Sequence, residues 1–134
     1  MELVINANIL FSIANPLSKT RYLIANFPLS LFSPEFAKTE IIKYREDIIK
    51  KANLKDFDSF MNILNTRVNF VNLEKYKGQI GKCRNVISDE KDIEYIALAN
   101  ELNIPLWTND KLLKNQNLVK IVNTRDIIEL LELD

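Results

Sequence analysis

The chain contains no histidine. That absence excludes Ser-His-Asp and Cys-His catalysis and the usual zinc sites, which need His or several Cys. Cys83 is the only cysteine in 134 residues. No intrachain disulfide can form, which fits a reducing, cytoplasmic setting. The two glycines, Gly78 and Gly81, are too few for a GxGxxG turn or a Gly-rich phosphate loop. With only four prolines besides, the chain is poor in loop formers and long helices should dominate. Its formal net charge is zero, so no global basic field announces a nucleic-acid partner, though a local basic patch stays open. No apolar run approaches the ~20 residues that span a bilayer. No basic segment leads into an apolar stretch at the N-terminus, so neither a membrane span nor a secretory signal is expected.

Apolar residues make up 47% of the chain and charged residues 27%, the balance of a soluble globular protein. A chain of this length forms one domain, expected over residues 1–134, and buries roughly two thirds of its unfolded surface. Carboxylates, amides, hydroxyls, Lys and Arg remain for chemistry, and carboxylate oxygens suit hard cations such as Mg²⁺ or Mn²⁺.

Strands and helices alternate. Glu2 to Ile5 reads as a buried parallel strand, apolar on both faces. Ala7 to Ala14 reads as helix, broken at Asn15-Pro16, and Ser18 caps a second helix from Lys19 to Asn26. Leu29 to Phe32 is the second strand. In "SPEF", Ser33 suits an N-cap, Pro34 the first helical position and Glu35 the positive end of the dipole, so a helix is expected from there to about Ala52. Asp56 or Asp58 starts a helix through Leu64, and Phe70-Val71 is the third strand. A helix is expected from Leu73 to about Arg84, and "SDEKD" (residues 88 to 92) opens another, with Asp89 as cap. "IPLWTND" is a strand with a polar end. A short helix over Lys111 to Leu113 follows, then a strand over Val119 to Val122. The last helix, Arg125 to Leu131, is capped by Asn123 or Thr124. The pattern implies an α/β sandwich with a mainly parallel sheet.

In open parallel sheets, ligands bind outside the carboxyl ends of the strands. Asn6 ends the first strand and Thr108-Asn109-Asp110 end the "PLW" strand. Asp92 lies in the first turn of the helix after "ISDEK". Glu40 lies two turns into the helix after the second strand. Each has a plain structural reading. Asp110 and Asn6 can serve only as helix caps, Asp92 can complement a dipole, and Glu40 can be one more solvated acid. Together they form an acidic set, and clustered carboxylates repel one another unless a cation neutralises them. The matching chemistry is metal-assisted phosphodiester hydrolysis.

The order "LVINANILFS", "SPEFAKTEIIKY", "SDEKDIEYIALANELNIPLWTND" resembles that of PIN domains, over nearly the whole chain except residues 53–87. The resemblance implies a three-layer α/β/α sandwich with a five-stranded parallel sheet and a metal-dependent ribonuclease site, often in the toxin of a toxin–antitoxin pair. It maps the family's acidic positions onto Asn6, Glu40, Asp92 and Asp110, with Asn8 and Thr108 as supporting polar positions. Asn6 departs from the pattern, because most active relatives carry Asp there. An amide keeps one coordinating oxygen but loses a charge. At an effective dielectric of about 20, that charge is worth roughly 8 kcal/mol, gross, to a divalent ion 4 Å away. Three origins stay open: a natural degenerate nuclease, an engineered substitution, or a site that works through its other three acids.

The function expected is therefore an Mg²⁺- or Mn²⁺-dependent ribonuclease. Its alternative is a PIN-fold module that holds RNA or protein without cutting. Lys111, Lys114 and Lys120 are candidate phosphate contacts. Lys75, Lys77, Lys82 and Arg84 form a second basic cluster, and either group also reads as a solvated face. Tyr44, Tyr76 and Tyr95 could stack bases or sit on half-buried helix faces. The apolar region "IANPLSKTRYLIANF" offers a surface for a homodimer partner or an antitoxin. Haloacid-dehalogenase-like phosphatases and response receivers also place acids at strand ends, but both need an acid after the first strand.

Overall fold

A computed structural model describes residues 1–132. Its centre is β1 (Glu2–Ile5), whose Leu3, Val4 and Ile5 are all buried. Successive strand residues point to opposite faces, so burial of three in a row means that both faces are covered. Helix α1 (Ala7–Ile13) follows, then α2 (Lys19–Asn26). The Ser18 hydroxyl accepts from the Arg21 amide (3.1 Å) and donates to the Ser12 carbonyl (2.6 Å), so one residue caps α2 and ties it to α1. Strand β2 (Ser30–Pro34) pairs with β1.

Ser33 is not the N-cap that "SPEF" suggests. It lies inside β2, fully buried, and its hydroxyl donates to the Ile5 carbonyl at 2.9 Å. The pairings Ser33–Phe70 and Pro34–Val71 hold the chain extended to Pro34. Pro34 takes the cap position without a side-chain bond, and α3 (Glu35–Lys43) starts one residue later than expected. The long helix also divides at Tyr44, giving α4 (Arg45–Ala52), although neither Pro nor Gly marks the break.

Asp56 caps α5 (Phe57–Arg67), accepting from the Ser59 amide at 3.1 Å, and β3 (Val68–Val71) follows directly. Residues 73–84 are not one helix. Two 3-10 turns, Leu73–Lys75 and Lys77–Gln79, precede α6 (Ile80–Arg84). Gly78 and Gly81 each weaken a continuous helix here by about 1 kcal/mol relative to Ala. Between the turns Tyr76 is buried, its phenol donating to Glu94 at 2.6 Å.

Asp89 caps α7 (Glu90–Leu102), which packs on β1, β2 and β4 (Leu106–Trp107). Asn103, in the left-handed region at φ 56°, ends α7. A 3-10 helix (Lys111–Asn115), β5 (Ile121–Val122) and α8 (Thr124–Glu132) complete the chain. Asn123 and Asp126 cap α8 reciprocally, each side chain accepting from the other's amide at 2.8 and 3.0 Å, the logic of a capping box.

All neighbouring strands are parallel, in the order β3-β2-β1-β4-β5. This is the expected α/β/α sandwich with five strands. Trp107, fully buried, donates its indole N–H to Thr124 at 3.0 Å and anchors α8 to the sheet. Among the described residues, no helix is long and apolar enough to cross a membrane.

Candidate metal centre

The strand order reverses between β1 and β4, and a crevice opens beyond the carboxyl ends of strands at such a switch point. Ile5 pairs with Trp107, so the next residues, Asn6 and Thr108, meet. The Asn6 carbonyl oxygen accepts from the Ile9 amide (3.2 Å), capping α1, and its Nδ2 donates to Thr108 Oγ1 (2.7 Å). Only an oxygen can face the Ile9 N–H, so the amide orientation is fixed by its partners. Thr108 Oγ1 also accepts from the Asp110 amide at 3.1 Å. One buried hydroxyl thus joins the two strand ends and sets the path of the chain to Asp110.

The Thr108 hydroxyl accepts twice, and among the described residues its own proton has no acceptor. An aspartate in the place of Asn6 would supply one. One carboxylate oxygen could take the Ile9 N–H and the other the Thr108 proton, because a hydroxyl both donates and accepts. The hydrogen-bond partners of Asn6 therefore suit a carboxylate as well as an amide.

Thr108→Val is expected to lower stability by about 1–3 kcal/mol, since it strands two donors at a buried site. Thr108→Ser should recover most of the loss. Thermal denaturation checks this, and an unchanged midpoint for the valine variant would show that the hydroxyl does not hold the strand ends together.

Above Asn6 lies a cavity of about 880 Å³. Asn6, Asn8, Glu40, Asp92 and Asp110 all line it. Four separate chain segments thus deliver the polar positions expected from sequence to one place. Thr108 lies beneath, fully buried. Asp47, Asp89, Lys51 and Lys91 also line the cavity, and sequence reasoning missed them as site residues. Asp89 accepts from the Lys91 amide (3.0 Å), so its capping role concealed its second position. Asp47 stands seven residues after Glu40, about two helical turns, a spacing that could have signalled a shared face.

The cavity has five carboxylates against two lysines. Burial, then the charges of Asp89 and Asp110, push the Asp92 carboxyl up from 3.8 to about 6. Burial, then Glu94, Asp92 and Glu40, push the Tyr95 phenol well above its usual range, so it stays a neutral donor in the wall. A polyanion would be repelled from this mouth unless cations neutralised it first.

All candidate donors are oxygens, which in kind fit a hard divalent cation. Their spread is wide. Among the described residues, no three His, Cys, Asp or Glu side chains stand close enough together to hold an ion by themselves. Such a set fits Mg²⁺ in its usual mode, one or two carboxylates with water completing the shell. Asp92 is close enough to Asp89 and Asp110 for their charges to raise its proton affinity.

Of the basic candidates, Lys111 and Lys114 line a second, smaller cavity that shares Asp110. Lys75, Lys82 and Lys120 line neither cavity, and Lys77 and Arg84 pair with Glu74 (2.6 Å) and Glu90 (3.9 Å). Tyr44 and Tyr95 line the larger cavity, whereas Tyr76 belongs to the core.

No curated protein sequence matches the chain. Among solved structures it is similar to a chain of the VapBC2 complex of Rickettsia felis, crystallised with a DNA fragment from their promoter. The match has a TM-score of 0.69 at 20% identity and covers 92% of this chain and 98% of that one. The family described as "PIN domain" matches residues 4–131. With the strand order and the position of the acidic cavity, that match means that the chain belongs to the PIN domain family.

Proposed function

We propose that the protein is a PIN-type ribonuclease dependent on Mg²⁺ or Mn²⁺. The observation that carries this reading is the convergence of Glu40, Asp92 and Asp110, with Asn6, on one cavity at the switch point of the sheet. Asp92 and Asp110 would hold the cation, and Glu40 and Asn6, on the same cavity wall, would meet it through its water shell. A bound cation supplies Lewis acidity and charge neutralisation at a phosphoryl oxygen.

The chain's own groups do the rest. Asp92 releases its proton above about pH 6 and then presents a full charge. Thr108 fixes the backbone at Asp110. Tyr95 and Phe36, packed edge to face at 5.4 Å, form an apolar flank that limits water. The likeness to the Rickettsia felis complex supports a place in a toxin–antitoxin pair, with an antitoxin as partner.

Purified protein should cut RNA with Mn²⁺ present and stop when EDTA is added. Cutting that survives chelation would sink the proposal. A second reading, a PIN-fold module that binds without cutting, is favoured by one observation, the uncharged Asn6 at the centre of the site.

A further inference from the structure

The smaller cavity, about 230 Å³, lies on the other side of Asp110 and differs in character from the first. Lys111, Lys114 and Arg125 line it, with Asn109 and Asn123. Its wall oxygens are largely engaged. Asn109 Oδ1 accepts from the Thr124 amide (2.9 Å), and Asn123 Oδ1 from the Asp126 amide (2.8 Å). Thr108 Oγ1 takes two hydrogen bonds, and Asp110 Oδ1 accepts from the Leu112 amide at 3.0 Å.

The donors are largely unused. Among the described residues, Lys111 and Lys114 have no ion-pair partner. Arg125 engages Glu129 only through Nε, at 3.3 Å, leaving its terminal nitrogens uncommitted. With their oxygens engaged by backbone amides, Asn109 and Asn123 are left with their side-chain N–H₂ groups to offer. Three cations with spare donors against the single carboxylate of Asp110 give the recess a positive balance that favours an anion such as a phosphate.

We propose that this recess is a phosphate subsite that holds the backbone of a single-stranded RNA next to the acidic cavity. The inference rests on the ribonuclease reading for the identity of the ligand. Asp110 is the shared wall. On one side it faces a space that repels phosphate without a cation, and on the other a space that attracts phosphate without one. The strand would thus be held by Lys111, Lys114 and Arg125 while a neighbouring phosphodiester reaches Asp92 and Asp110.

The test is fluorescence anisotropy of a labelled single-stranded RNA oligonucleotide in EDTA, so that binding is read without cutting. Joint Lys111→Ala, Lys114→Ala and Arg125→Ala substitution should weaken binding at least tenfold. It should also reduce the slope of log affinity against log salt by about 2, from three contacts at roughly 0.7 each. Joint Lys75→Ala, Lys82→Ala and Arg84→Ala substitution removes the same charge elsewhere and should leave affinity within twofold. Equal weakening by both sets, no weakening by the first, or no binding by the unaltered protein would each overturn the subsite. If the unaltered protein still cuts RNA with Mn²⁺, only the subsite is lost; if it does not, the ribonuclease reading falls separately.

Discussion

Asn6→Asp is expected to raise Mn²⁺-dependent RNA cleavage by two orders of magnitude or more. The gross attraction of one added charge for a divalent ion, roughly 8 kcal/mol at an effective dielectric of about 20, is mostly cancelled by desolvation. A residue of about 3 kcal/mol suffices, since each 1.4 kcal/mol is tenfold. The exchange should not disturb the fold. Both hydrogen bonds made by Asn6, to Ile9 and Thr108, have a counterpart for a carboxylate, and the Thr108 proton gains an acceptor. Single-turnover cleavage of an end-labelled RNA at fixed Mn²⁺ reads the ratio. Equal rates in the two forms would mean that the site does not use the charge at position 6.

The second large effect belongs to Asp110. Asp110→Ala should lower cleavage at least about a hundredfold in either background, because it removes one of the two carboxylates best placed to hold the cation. It also removes the cap of the following 3-10 helix, a bond of 3.0 Å to the Leu112 amide, at about 1 kcal/mol of stability. Asp110→Asn separates the two roles. It keeps a capping oxygen and loses the charge, so it should be as inactive as the alanine variant but nearly as stable as the parent. If cleavage persists in both variants, a contaminating nuclease is the better account of it.

The sequence made some features legible because their causes are local. The bounds of β1 and α2 follow from a β-branched apolar run and from Ser18 as a cap. Asp56 and Asp89 are caps for the same local reason, a short side chain accepting from an amide two or three residues on. Other features depend on distant partners. Ser33 looks like a cap, but its bond to Ile5 and pairing with β3 make it strand. The division at Tyr44 carries no breaker residue, and the burial of Tyr76 depends on α7. Sequence extended the last strand back to Val119, yet only Ile121–Val122 pair with β4.

The site divides in the same way. Asn6 and Asp110 are predictable from the rule that strand ends at a switch point face the ligand, and Asp92 and Glu40 from their places in the helices beside it. Asp47 and Lys51, on α4, line the cavity together with Glu40 on α3, and the seven-residue spacing from Glu40 to Asp47 is the one local sign of it. The Asn6 amide does one thing at each end. Its oxygen caps α1, while its nitrogen holds the Thr108 hydroxyl in a direction that a carboxylate would reverse.

Divalent-cation binding in the acidic cavity, weakened by Asn6, underlies each of these expected results. Isothermal titration of Mn²⁺ into the protein and into Asn6→Asp tests this without any assay of activity. The expected result is binding by both, tighter in Asn6→Asp by two decades or more. In both forms it should weaken as pH falls from 7 to 5, because a proton on Asp92, held up to about 6, competes with the ion. No binding by either form would mean that the cavity is not a metal centre.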